Sequence, residues 1–152
     1  MNTHDPCNPF IATVRAEHRE MHLTLANLRR RLEAIPPNEV AAKLPEVRQH
    51  FEELRKRLAA HFREEESGGC LEEAAARLPR LGEAVSRIEE EHPRILAALD
   101  SLRHRLAGAV TEREWPEVLL AYRDLATMLS QHEALENRVL EQGFNEDLTS
   151  AV

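Results

Sequence analysis

Aromatic residues make up only 4% of this 152-residue chain, glycine occurs five times and cysteine twice. Two cysteines, Cys7 and Cys70, are too few for a disulfide framework, and reduced thiols are the expectation. Cys70 follows Gly68-Gly69 and reads as an exposed thiol in a linker. No apolar run approaches the roughly 20 residues that a bilayer-spanning helix needs. Residues 1–6 have neither the basic start nor the apolar stretch of a secretory signal, so the expected location is cytoplasmic. A net charge of −7 leaves no basic footprint for nucleic acid.

What is abundant is Ala, Leu, Glu and Arg, a helix-forming composition in a chain long enough for one real core. Asn8-Pro9 reads as an N-cap and first helical position, and a first helix runs from there to about Ala34. The second covers about Pro45 to Glu66 and stops at Ser67-Gly68-Gly69. Residues 70–77 suit a short linking helix. The third helix runs from about Pro79 to Ala107, with Pro93 inside it marking either a kink or a later start. Thr111 and Glu114 form a capping-box signal before a fourth helix from about Trp115 to Gln142, which Gly143 stops. Its inward stripe includes Leu119, Tyr122, Leu125 and Leu129. Four long helices with short loops predict an all-α, up-down-up-down four-helix bundle over residues 9–142, with tails at 1–8 and 143–152.

One pattern recurs. Glu17-His18 is followed 43 residues later by His61-x-x-x-Glu65, and Glu91-His92 is followed 40 residues later by His132-x-x-x-Glu136. With eight His and 23 Glu, about one His-x-x-x-Glu pair is expected by chance, so the pairs alone carry little weight. The register around them carries more. Shifted by 74, residues 17–32 overlay 91–106: Glu17 on Glu91, His18 on His92, and Leu25, Leu28 and Leu32 on Leu99, Leu102 and Leu106. Shifted by 71, Phe51, Leu54, Leu58, His61 and Glu65 fall on Tyr122, Leu125, Leu129, His132 and Glu136. The chain is an internal repeat of two helices each.

Residues four apart on a helix share a face, so His61 and Glu65 point one way, as do His132 and Glu136. All six positions lie on apolar stripes. Inward imidazoles and carboxylates in that number need partners, because burying them unpaired is costly. Metal ions supply those partners, and mixed nitrogen and carboxylate donors suit iron, manganese or zinc. The expected ligands are His18, His61, Glu65, His92, His132 and Glu136. His22, one turn after His18, is an additional candidate; otherwise it is a packed core or supporting residue. Six ligands for two ions, with both carboxylates bridging, leave open positions for an exogenous ligand.

In this order and spacing, Glu17-His18, His61-Phe62-Arg63-Glu64-Glu65-Glu66, Glu91-His92 and His132-Glu133-Ala134-Leu135-Glu136 resemble the hemerythrin family, in its broad branch of HHE cation-binding domains. The likeness covers roughly residues 10–142. It implies a four-helix bundle with two non-haem iron ions as cofactor, held by the six residues above, with Glu65 and Glu136 bridging. The chain departs from the oxygen carriers of that family. Leu96 stands where a His-x-x-x-His pair would put its second imidazole, and Glu136 follows His132 at four where an Asp would follow at five.

A ferritin-type site would need Glu-x-x-His on two helices, and only Glu89 to His92 provides it. The protease signature His-Glu-x-x-His is absent. His50 and His104 read as surface residues and Tyr122 as core. The expected function is a non-haem di-iron protein of hemerythrin type that binds O2 or acts in oxygen, redox or iron sensing or handling. The alternative is a di-iron enzyme with oxidase, peroxidase or nitric-oxide-handling activity. Expected partners are O2 or another small diatomic or peroxide ligand and a redox or signalling protein, with no nucleic acid and no membrane.

Overall fold

A computed structural model describes residues 7–145. Of the proposed tails at 1–8 and 143–152, residues 1–6 and 146–152 lie outside the described residues, and so does the reading of residues 1–6 as lacking a secretory signal. Among the described residues five α-helices follow one another: α1 (Asn8–Glu33), α2 (Val40–Gly68), α3 (Cys70–Arg77), α4 (Gly82–Ala107) and α5 (Trp115–Phe144). The four long ones pack in the cyclic order α1, α2, α4, α5, as the bundle reading expects. No helix among the described residues is long and apolar enough to cross a membrane.

Element boundaries differ from expectation where packing overrides local signals. Cys7, not Asn8, occupies the N-cap of α1. Helix α2 begins at Val40, five residues before Pro45, because a 3-10 turn (Pro37–Glu39) feeds straight into it and Val40 and Leu44 are both buried. Helix α4 runs unbroken through Pro93, which is exposed, so the ring costs one backbone bond but displaces no core atom. Val118 takes the core position assigned to Leu119, which is only partly buried. Thr111 and Glu114 form the expected reciprocal cap: each backbone N–H donates to the other's side-chain oxygen at 3.2 Å.

Gly143 does not stop the last helix. It lies inside α5, and Asn145, at φ 56°, ends it. A Cβ at Gly143 would sit 2.5 Å from the Ala74 Cβ on α3 and 2.9 Å from its Cα. The glycine is there for close helix approach.

The cysteines also depart from expectation. Cys7 and Cys70 are joined in a disulfide, with Cα atoms 5.8 Å apart. Both are buried. The sequence reading placed Cys70 in a linker, but Gly69 takes the left-handed conformation at φ 71° and turns the chain directly into α3. The first residue of α3 then faces the start of α1.

The apolar core is in two parts. One is built from Leu25, Leu28, Leu54, Leu99, Leu102, Leu125 and their neighbours. The other, at the opposite end, packs Ile11 and Val14 against Leu71, Ala74, Val85, Ile88, Val139 and Leu140. Helix α3 supplies the fourth wall there, because α2 has already ended.

Gly143→Ala should destabilise the fold. An exposed helical Gly→Ala change gains about 1 kcal/mol, but overpacking against a helix backbone costs about 1–3 kcal/mol. The net expectation is a melting temperature lowered by a few degrees. A rise would show that α3 moves away freely.

Candidate metal centre

Between the two apolar clusters lies a polar layer. His18 of α1, Glu65 of α2, His92 of α4, and His132 and Glu136 of α5 are all buried, and His61 of α2 is nearly so. Their ligand atoms fall into two groups that could each hold a metal ion: His18, His61, Glu65 and Glu136, and Glu65, His92, His132 and Glu136. The structure therefore brings together all six residues singled out by spacing.

The carboxylates span the two groups. One Glu136 oxygen lies 3.1 Å from His18 Nε2 and the other 3.5 Å from His132 Nε2. One Glu65 oxygen contacts His61 Nε2 and the other lies 3.0 Å from His92 Nε2. Each group thus has two imidazole nitrogens and one oxygen from each of the two carboxylates.

Each ring is also held from outside through Nδ1. His18 Nδ1 is 2.9 Å from Asn137 Oδ1, His92 Nδ1 is 2.9 Å from Glu66, and His132 Nδ1 is 3.0 Å from Glu91. His61 Nδ1 contacts Glu17. An acceptor at Nδ1 selects the Nδ1–H tautomer and turns the Nε2 lone pair inward. In that tautomer Nε2 faces a carboxylate oxygen with no hydrogen between them. Accordingly the Nε2 atoms of His18, His92 and His132, and all four oxygens of Glu65 and Glu136, are buried without a hydrogen-bond partner. Either a proton or a metal cation must lie between such atoms. Two nitrogens and two oxygens on each side fit a transition-metal ion.

The sequence reading missed most of the holders of the rings; Glu66 alone was read as a solvated or supporting neighbour of a ligand. Glu17 and Glu91 were part of the recurring pattern but had no role there; they hold His61 and His132 from the neighbouring helices. Asn137, five residues after His132, was not noticed. Glu133 stood in the quoted motif but was given no role, although it is only 6% exposed. His22 lies outside both groups and outside the core. Its side chain is 63% exposed, and its Nε2 stands 3.6 Å from Glu133. It is exposed because it lies on the outer face of α1, whereas its repeat partner Leu96 is partly buried.

The layer is electrostatically strained in the metal-free chain. Burial opposes charge on His61, but Glu65 beside it, with Glu136 and Glu17, pushes its pKa up to about 9. Burial likewise opposes charge on His18 and His92, which Glu136 and Glu65 overcome, raising both. Burial raises Glu65, aided by the charge of Glu136. Burial also works against ionised Glu136, yet the imidazoles of His132 and His18 facing its two oxygens hold it well below the usual carboxylate range. Burial pushes Glu133 up to about 7.

A family model described as the Hemerythrin HHE cation binding domain matches residues 10–142. Neither the curated proteins nor the solved structures contain a match to this chain.

Metal-free protein should lose stability as pH rises from 6 to 9. A group whose folded pKa exceeds its unfolded value contributes fully below the unfolded pKa and loses that contribution through the folded one. For His61 the window runs from 6.5 to about 9. Glu133, raised from 4.5 to about 7, acts in the same direction. Chelator-treated protein should melt several degrees lower at pH 9 than at pH 6. A flat profile would mean these rings are not protonated in the metal-free fold.

Proposed function

The chain belongs to the hemerythrin HHE cation-binding family, and from that premise we propose that it is a non-haem di-iron protein that binds O2 or a related small ligand, acting in oxygen, redox or iron handling. The observation that carries this reading is the set of buried, unpartnered Nε2 and carboxylate atoms facing one another between α1, α2, α4 and α5. His18 and His61 would hold one ion, His92 and His132 the other, and Glu65 and Glu136 would bridge them. The mixed donor set suits iron, with manganese and zinc as the nearest competitors. When bound, iron would supply redox capacity and open coordination positions for a small ligand.

The chain's own residues set the conditions. Glu17, Glu66, Glu91 and Asn137 keep each imidazole in the tautomer a metal needs and hold its orientation. The apolar clusters above and below keep bulk water from the layer. Phe62 stacks on His92, with ring centroids 4.1 Å apart and planes 9° apart, and meets His132 edge-on. Phe62 meets His61 only at a tilt, with centroids 5.9 Å apart and planes at 48°, and does not stack on it, so the small ligand is proposed to approach from the side of His18 and His61.

Metal analysis after anaerobic iron reconstitution should give two ions per chain, and exposure to air should change the optical spectrum. Glu136→Ala should lose both ions, because its two oxygens face both groups. It should also lose the stability that metal binding contributes. His22→Leu should leave stoichiometry and spectrum unchanged. One ion or none in wild type would overturn the di-iron reading, and a changed His22→Leu spectrum would restore His22 as a ligand.

A further inference from the structure

Position 62 on α2 and position 133 on α5 are equivalent in the internal repeat, each directly following a candidate ligand. Their side chains differ completely. Phe62 is an apolar cover over His92 and His132. Glu133 is a carboxylate that lines a cleft of about 200 Å³ outside His61. The cleft is also lined by Glu17, Glu20, Glu64 and Arg57. Four carboxylates thus face one guanidinium, and Arg57 is itself only 3.5 Å from Glu20.

Glu133 is the unusual member. It is more than nine-tenths buried. Among the described residues its one ion-pair contact, His22 Nε2, is 3.6 Å away, beyond hydrogen-bond reach. A buried carboxylate in an acidic cleft, with no hydrogen bond to hold it, is placed to receive a cation. Behind it lies His61, whose Nε2 faces Glu65 in the first of the two candidate groups. A second depression is lined by Ala60, Arg63, Glu64, Glu66 and Ser67 and by none of the six candidate ligands.

We propose that this acidic cleft is the loading route for divalent metal cations. The ion enters past Glu20 and Glu64 and contacts Glu133. It then passes to the His18–His61 position, and the sealed His92–His132 position fills more slowly. This inference rests on the metal-binding reading above. It goes further in making the two positions kinetically unequal and in assigning the rim and Glu133 to uptake. The cleft's net negative charge raises the local concentration of divalent cations and repels anions.

The test is stopped-flow uptake of cobalt(II) by chelator-treated protein, followed by absorbance, with bound cobalt counted at the end. Wild type should take up two ions in two resolved phases of equal amplitude, the faster one slowing as salt is added. The exposed double variant Glu20→Gln/Glu64→Gln should slow the fast phase roughly fivefold, from the loss of two attractive charges on a divalent ion. It should still bind two cobalt ions and melt as wild type does. Glu133→Gln should slow the same phase with the rim intact. Unchanged rates in the double variant, or a fast phase indifferent to salt, would overturn the loading route while leaving metal binding in place. Failure of wild type to bind cobalt, iron or zinc would overturn both.

Discussion

Four imidazoles and two carboxylates buried in one layer dominate the design of this bundle. A group of this kind costs several kcal/mol to desolvate unless something of opposite charge accompanies it. The layer therefore fixes the rotational setting of every long helix. A shift of one residue turns a helix by about 100° and would bring an apolar residue to the centre and an imidazole to the surface. Fixing the helices is not enough, because each ring must also present Nε2 rather than Nδ1. That is why Asn137, Glu17, Glu66 and Glu91 stand outside the rings. Each comes from a different helix than the ring it holds, so the outer contacts also tie α1 to α5, α2 to α1, α4 to α2 and α5 to α4.

Such a layer divides the core, and each half must be closed separately. At one end the four long helices suffice. At the other, α2 has ended and α3 takes its place, with Gly143 allowing α5 to approach the Ala74 backbone. The Cys7–Cys70 bond fastens the start of α1 to this short helix. A bond closing 63 residues removes about 4 kcal/mol of unfolded-chain entropy in the loop-closure view. An eight-residue helix such as α3 has little stability of its own, so the bond and the glycine contact together keep the lower half shut. Disulfides persist where the surroundings oxidise thiols. The cytoplasmic expectation rested on residues 1–6, and this bond does not support it.

Much of this was legible in the sequence because the signals were periodic and doubled. The helices, the bundle and the six inward His and Glu follow from stripes at helical spacing, confirmed by overlaying the two halves. The partners of the rings were not legible, since Asn137 holding His18 is a contact across 119 positions and depends on helix crossing. His22 was ambiguous for the opposite reason: local spacing placed it beside His18, and only the outward face of α1 shows that it lies outside the layer. The disulfide was missed because two cysteines say nothing about proximity until the left-handed turn at Gly69 brings them together. Gly143 looked like a stop signal, although its missing Cβ is needed for packing.

The repeat gives the two candidate ion positions the same donors, but it does not make their surroundings equivalent. Each half carries two nitrogens and shares the same two carboxylates, so donor chemistry alone would predict identical behaviour. Their difference arises where the repeat has diverged. Position 62 is aromatic and lies flat on an imidazole of the opposite half, while position 133 is acidic beside the cleft outside His61. An aromatic face excludes water and solutes from one side of the layer. A carboxylate keeps the other side polar and open to ions. Two candidate sites that share Glu65 and Glu136 cannot be separated in space, but a single pair of side chains over them leaves one beside an acidic cleft and the other under an aromatic ring.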